Sequence, residues 1–485
     1  MAGTKAMKQT LFDEFQIKGY WWLPSSNEKV SGILFYKHDK IELELIGRLH
    51  SDDELEGSRF FGRKNSSHEC ILGFTDKGEE ITLIDAINSN FSISAPGFAT
   101  ETYSINLFIV GGHYENSNNI MFHSMSFFPT NFTKWLGKIP FKQSHLFEDE
   151  VFKGVEKIEF PKPSMFSEYV KSIDSVIEET YNSYLKGDYT KDIHWLYEGG
   201  LKIVPNDLMS LEWFEKKMFS LRNLLTLFMG IPTYFEKIIY HGDEYSLEGR
   251  EDKKFRKKHA LFFKQNEIRL PKKYNIHDVM INYGDIKDNL GFVFNNWFSK
   301  HEDLKTVLDL YFSDFYSKMY LESKFLNAVQ TLEIYHRTLG EGTIMDYEKY
   351  EKYCLELKEL IQPKFEADFV DLIEGKLTHG NEITLSKRIK ALINKLSDEN
   401  KRKLFGNSDS RNKFVQQLVD TRNYLTHYDK SNKKTVLEEP NDLYIAIEKL
   451  KGIATIIIFK ELGVDEELII NKILDNKRYS HAFSL

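Results

Sequence analysis

Cysteine is nearly absent from the 485 residues: Cys70 and Cys354 are the only two, far apart and in segments of different character. That scarcity argues against a disulfide framework and against a cysteine-rich zinc site. Long hydrophobic runs are missing too. The longest, near Leu224 to Ile231 and Ile453 to Phe459, fall well short of the roughly 18 residues of a membrane-spanning helix and suit buried helix segments. The first residues, MAGTKAMKQTLFDEF, lack a long apolar core followed by a small-residue cleavage site, so secretion is not indicated and a cytoplasmic protein is expected. Positive charge is not in excess. A formal net charge of -8 gives no global field advertising a nucleic-acid binder, although local contact depends only on the surface facing the ligand. No G-x4-G-K-[ST] or G-x-G-x-x-G sequence is present, which removes support for a P-loop or Rossmann nucleotide site. His68, His113 and His123 lack metal-ligand spacing, so neither a metal nor a cofactor is expected.

What is present is enough apolar material, 41% of residues with 14% aromatic, to fill two or three cores. The first 130 residues or so carry short runs such as GILFYKHD, KIELELIGRL, CILGFT and YSINLFIVGG, several with partial two-residue alternation, separated by Gly, Asn, Asp and Ser clusters. This is the pattern of an antiparallel sandwich-like or barrel-like module. In a mixed stretch to about Lys300, apolar residues at Leu211, Phe214, Met218, Leu221, Leu225 and Phe228, stopped by Gly230 before Pro232, predict a helix of about five turns. YFEKIIYHG and HALFFKQNEIRL read as strands beside it. Trp21 and Trp22 suit sheet packing better than a ligand-binding face.

After about Glu302 the chain becomes helical throughout. Ser408, Asp409 or Ser410, then Asn441, then Asp465 are read as amino-terminal caps, with Gly463 as a stop. The expected fold class is therefore α+β multidomain. Residues 1–302 form a β-rich region, divisible into 7–160 and a mixed 161–302, and residues 303–485 form an all-α bundle.

One late helix carries VDTRNYLTHYD, Val419 to Asp429. Phe414, Leu418, Thr421 and Leu425 are spaced to face the bundle, while Gln416, Asp420, Asn423 and His427 form a polar stripe. Asn423 and His427 are four apart and hence neighbours. Arg422 precedes His427 by five, roughly 140° away round an ideal helix. Cooperation between them would need a long side chain to swing across, the helix to end near His427, or a second chain. The residue types suit phosphate chemistry. A guanidinium stays charged and grips two phosphate oxygens, and an imidazole moves protons near neutral pH.

R-N-Y-L-T-H in a late helix of an all-α bundle resembles the R-x4-6-H motif of HEPN ribonucleases, over roughly Leu304 to the carboxyl terminus. FLNAVQTLEIYHR is similar to the upstream helix that supplies that family's supporting acidic residue, which makes Glu333 the candidate. From spacing alone Glu333 serves equally as an ordinary helical partner of Arg337. FQIKGYWWLPSSNEKVSGILF followed by KIELELIGRL resembles the β-rich opening of ApeA-type bacterial anti-phage proteins. The resemblance implies a homodimer that cuts RNA, transfer RNA above all, without metal. It implies 2′-OH attack, 2′,3′-cyclic phosphate ends, and an amino-terminal region that responds to a phage-derived trigger in abortive infection. Arg422, His427 and Asn423 would be catalytic and Glu333 supporting. Basic runs at Lys253 to His259, Lys387 to Lys390, Lys401 to Lys403, and Lys430, Lys433 and Lys434 directly after the motif would meet phosphates. Two other readings stay open: a HEPN bundle that only dimerises or binds nucleotide, and a glycan- or protein-binding β module on a helical scaffold.

Overall fold

In the computed structural model, which describes residues 8–49, 67–93, 96–148, 150–188, 190–247, 250–265, 268–271, 273–340, 342–428 and 435–483, the early alternating segments are antiparallel strands. They are β1 (Phe15–Trp22), β2 (Val30–Lys37), β3 (Lys40–Ile46), β4 (Ser67–Thr75), β5 (Glu80–Ile93) and β6 (Ala99–Val110). Pairing runs β6-β3-β2-β1-β4-β5, and β5 pairs back to β6. The sheet therefore closes into a barrel, which leaves no free edge within the ring. Alternation sends Leu34, Tyr36, Ile41, Leu43, Leu45, Leu83 and Tyr103 inward, all at most 2% exposed.

Trp21 fills the barrel at 0% exposure because two facing positions lack a side chain. A Cβ on Gly73 would overlap the Trp21 ring, and one on Gly32 would lie 2.9 Å from Trp21 Cδ1. Trp22, on the opposite face, meets His113 edge-on at 5.1 Å and carries Lys29 over its ring at 4.7 Å.

β6 is shared. β5 lines one side of it, while the other takes β3 at Thr100 to Ser104 and then a late strand at Leu107 to Val110. The remaining strands are β7 (Met121–Phe122), β8 (Ser124–Pro129), β9 (Lys142–Glu148), β10 (Val151–Glu159), β11 (Ser167–Val170), β12 (Ser175–Lys186), β13 (His194–Pro205), β14 (Met209–Ser210), β15 (Phe235–Leu247) and β16 (Arg250–Phe263). Outward from β6 the order is β16-β15-β8-β13-β12-β11, giving one twelve-stranded sheet.

Helix α1 (Phe132–Leu136) and the longer α2 (Leu211–Met229) pack on this extension. Ser210 caps α2 by accepting from the Trp213 N–H, and Gly230 ends it at φ 70°. Every apolar residue of the expected stripe, Leu211 to Phe228, is buried, and Trp135 of α1 stacks on Phe228 at 5.6 Å.

The chain divides into compact units at Gly291/Phe292, ahead of the residue-302 boundary. After α3 (Tyr283–Ile286), most of α4 (Leu290–Lys300) belongs to the second unit. Trp297 packs on Phe312, the Asn296 amide donates to the Leu462 carbonyl at 3.3 Å, and Lys300 pairs with Glu461.

The second unit is helical. It comprises α5 (Lys305–Tyr316), α6 (Leu321–Thr338), α7 (Tyr347–Ile361), α8 (Ala367–Leu377), α9 (Leu385–Asn394), α10 (Asp398–Phe405), α11 (Ser408–His427), α12 (Pro440–Glu461), α13 (Glu466–Asp475) and α14 (Lys477–Phe483). Two expected caps are displaced. Asn407, not Ser408 to Ser410, caps α11, because its extended backbone lets its side chain accept from the Ser410 N–H. Asn441 lies inside α12, since Pro440 occupies its first turn, where a missing N–H is harmless. Asp465 caps α13 by accepting from the Leu468 N–H. Among the described residues no helix is long and apolar enough to cross a membrane.

α12 is the centre of this unit, buried along nearly its whole length from Leu443 to Phe459. Two of its buried residues are charged and both are paired: Lys451 with Asp314 of α5, and Glu448 with Arg478 of α14. Burial, reinforced by Arg478, pulls the Lys451 ammonium down to about 8 against the opposing attraction of Asp314.

Two stability tests follow. Gly73→Ala, read by urea denaturation, is expected to destabilise by about 1–3 kcal/mol through overpacking of Trp21. Asp314→Ala strands the Lys451 charge and is expected to cost about 3–5 kcal/mol, most of which Asp314→Leu with Lys451→Met recovers.

Candidate active site

α11 packs against α6 and α9, and its buried residues explain its seating. Phe414, Val415 and Leu418 enter the bundle with Thr421. Asp420 is buried as well, at 6% exposure, whereas Gln416 and His427 of the same polar stripe are exposed. A buried carboxylate needs donors. Asp420 takes the Gln416 amide at 2.9 Å and the Thr435 hydroxyl, while the Leu437 N–H donates to Thr421 Oγ1 at 3.0 Å. The two buried polar residues thus tie the chain that returns from residue 435 onto α11.

Arg422 emerges from this seat at 34% side-chain exposure and turns towards α6, with Nη2 4.0 Å from Glu333 Oε2. Its Nη1 donates to Asn423 Oδ1 at 3.3 Å. Glu333 also receives Arg337 Nη2 on its other oxygen at 3.2 Å. One carboxylate thus faces two guanidiniums, that of Arg337 in its own helix and that of Arg422 in α11.

The network continues. Arg337 donates to Glu382 at 3.1 Å, and the His379 ring lies 3.2 Å from Glu382. Hydrogen bonds from His379 and then Arg337 hold the Glu382 carboxyl below its usual range. Partial burial works to lower Arg337, and the hydrogen bonds to Glu333 and Glu382 more than offset it, leaving its guanidinium raised. Beneath this layer Arg388, 1% exposed, donates to the Ile383 carbonyl at 2.9 Å and sits 3.4 Å from His336 Nδ1. Burial and then the nearby Arg337 lower Arg388.

His427 is the last residue of α11 and is exposed. Tyr428 follows at φ 53°, its N–H returning to the Tyr424 carbonyl at 2.7 Å. This left-handed cap, uncommon for an aromatic residue, stops the helix at the histidine. Among the described residues no hydrogen bond reaches the His427 ring. The structure brings together Arg422, Asn423 and Glu333 and leaves His427 at the helix end. Lys430, Lys433 and Lys434 lie outside the described residues.

Two other basic runs are less available than their composition suggests. Arg388 of Lys387 to Lys390 is buried, and Lys401 and Lys403 pair with Asp398 and Glu399 of their own helix at 2.7 and 2.8 Å. Sequence reasoning did not find Glu382, His379, Arg388 or His336 as members of this cluster. The His379–Glu382 spacing was readable, but its approach to Arg337 is a tertiary contact that no local pattern encodes. Among the described residues no group of three or more His, Cys, Asp or Glu side chains is placed to hold a metal ion.

Fold and site together define a two-part protein, a barrel-bearing β-rich module followed by an all-helical domain of HEPN type. The chain belongs to the ApeA family: the family model described as ApeA N-terminal domain 1 matches residues 16–297, and the one described as Apea-like HEPN matches residues 326–468, which include Glu333, Arg422, Asn423 and His427. No curated protein and no solved structure matches the chain. It is thus a defence-associated HEPN protein, and HEPN domains are generally ribonuclease domains that commonly dimerise and bind RNA.

The partly exposed setting of the Arg422–Glu333 pair, with the groups 4.0 Å apart, limits its energy. A double-mutant cycle on Glu333→Gln and Arg422→Gln, read by urea denaturation, is expected to give a coupling of no more than about 1 kcal/mol.

Proposed function

We propose that the chain is a metal-independent endoribonuclease of anti-phage defence, with Arg422 and His427 as its catalytic residues. The observation that carries this reading is the approach of Glu333 to Arg422 from a neighbouring helix, within the HEPN-matched segment and close to a histidine exposed at its helix end. RNA supplies its own nucleophile. The 2′-OH gives up its proton to a base, the new O2′–P bond forms as the P–O5′ bond breaks, and the leaving 5′ oxygen takes a proton. The product carries a 2′,3′-cyclic phosphate. His427 moves protons, and Arg422, aimed by Glu333 and Asn423, stabilises the charge that grows on the phosphoryl oxygens. Transfer RNA is the proposed target, abortive infection the outcome, and a phage-derived component acting on the amino-terminal unit the trigger.

Two chains complete one site in this reading. Arg422 turns to α6, and His427 lies roughly 140° further round α11, so the histidine of one chain serves the arginine of another.

The test uses the purified full-length protein with transfer RNA and total RNA in excess chelator, with and without phage-infected cell extract. Wild type is expected to cut and leave cyclic phosphate ends, and Arg422→Ala and His427→Ala to lose roughly 10²–10⁴ in rate. Cleavage by both variants at the wild-type rate would refute the site, and no cleavage by any form under either condition would refute the ribonuclease reading. Mixing the two variants separates one-chain from two-chain sites. A shared site regains activity in the heterodimer, because one Arg422 and one His427 from different chains remain intact together; a site within one chain does not.

A further inference from the structure

One basic run belongs to the amino-terminal unit. Lys253 to His259 lies on β16, and antiparallel register places its alternate residues on one face with groups from three neighbouring strands. His241 of β15 is paired with Lys258 of β16 and with Ser124 of β8, while Lys202 of β13 is paired with Ser126 of β8. Arg256 is two residues from Lys258 and so shares its face. The four strands are consecutive in the sheet, β13-β8-β15-β16. A cavity of about 290 Å³ opens among them, bordered by Ser124, Lys202, Asn206, His241 and Arg256.

Among the described residues, positive charge here exceeds what the carboxylates answer. Lys202 pairs with Glu178 at 2.8 Å, but Glu244 is shared between Arg256 at 2.9 Å and Lys254 at 3.3 Å. Among the described residues Lys258 has no carboxylate partner. His241 registers the resulting field. Burial first, then Lys202, Lys258 and Arg256, bring its imidazole down to about 4, with no carboxylate among the causes. It is therefore neutral at physiological pH, and its Nε2 meets Ser126 Oγ at 3.0 Å.

A recess with two cations at its border, a third beside it, a neutral imidazole and a hydroxyl is suited to an anion that accepts several hydrogen bonds at once. Its volume lies at the small end of ligand pockets and admits a phosphate group with little more than a nucleoside attached. We propose that this recess, made by β8, β13, β15 and β16, binds a small phosphorylated ligand, a free phosphate or the phosphate of a mononucleotide, through Lys202 and Arg256. The site lies wholly in the amino-terminal unit and does not rest on the ribonuclease reading.

Isothermal titration of the full-length protein with inorganic phosphate, adenosine monophosphate and a short single-stranded RNA tests it, at constant ionic strength set with chloride. Saturable binding of phosphate or the mononucleotide is expected, weakened roughly tenfold or more in Lys202→Gln and in Arg256→Gln. Lys216→Gln, an equal loss of charge on α2, is expected to bind as wild type does. Tighter binding of the mononucleotide than of phosphate assigns a nucleotide; equal binding assigns free phosphate. Three results would overturn the proposal: no saturable binding of either small ligand, binding unchanged in both recess variants while their circular dichroism matches wild type, or binding of RNA alone. Because Lys202 and Arg256 are partly exposed, a melting temperature within a few degrees of wild type confirms that each variant is folded, and loss of binding then belongs to the recess.

Discussion

The helical unit depends on the burial of α12. A helix apolar on nearly every side must be covered on nearly every side; α6, α13 and α14 pack round it for that reason, and α5 meets it through Asp314 and Tyr311. The charges it carries inward then fix how they gather. Neither Lys451 nor Glu448 is tolerable in the interior without a partner, so α5 must present Asp314 and α14 must present Arg478 at matching heights. The Tyr311 hydroxyl on Thr455 at 2.7 Å adds a polar registration mark on the same stretch. α6 is set by this arrangement, and α11 is set by α6 and α9. The position of Glu333 beside Arg422 is inherited, two packing steps away, from the centre of the bundle.

This chain of dependence gives the surface cluster its character. Arg422, Glu333, Arg337 and Glu382 are partly hydrated, and ion pairs in that setting contribute little to stability. What the alternation of charges supplies is direction. A carboxylate holding two guanidiniums limits where each can point, and an arginine already aimed loses less freedom when it grips a phosphate. Arg388 beneath them is different, since burial makes its hydrogen bonds to backbone carbonyls obligatory. It reads as a foundation for the segment that carries Glu382.

Much of this was legible in the sequence where the signal is local. The α2 stripe announced itself by spacing, and the two units announced themselves by the change from alternating runs to helical ones. Arg422 and His427 were legible as a pair of residue types on one helix, together with the angular separation that spacing imposes. What was not legible depends on contacts distant in the chain. Barrel closure requires β5 to return to β6, with β6 then accepting β16 from more than a hundred residues later. Asp420 looked like its polar neighbours because burial of a carboxylate is decided by Thr435 and the fold of the returning chain, not by periodicity. Trp21 and Trp22 are adjacent and chemically alike, yet strand alternation alone sends one into the barrel and the other onto its surface.

The separation between Arg422 and His427 is the point at which local and tertiary information meet. Helical geometry fixes it, and the bundle gives it consequence by directing Arg422 towards α6. The left-handed cap at Tyr428 stops α11 immediately beyond His427 and leaves the imidazole exposed, free of ties among the described residues. An arginine beside Glu333 and a histidine without such ties among the described residues are complementary under the proposed reading. In that reading the first holds a phosphate in place and the second transfers protons. α11 ends at His427, so a site within one chain would be made across the end of the helix; under the proposed reading it is made between two chains, where the divergence of Arg422 and His427 is no obstacle.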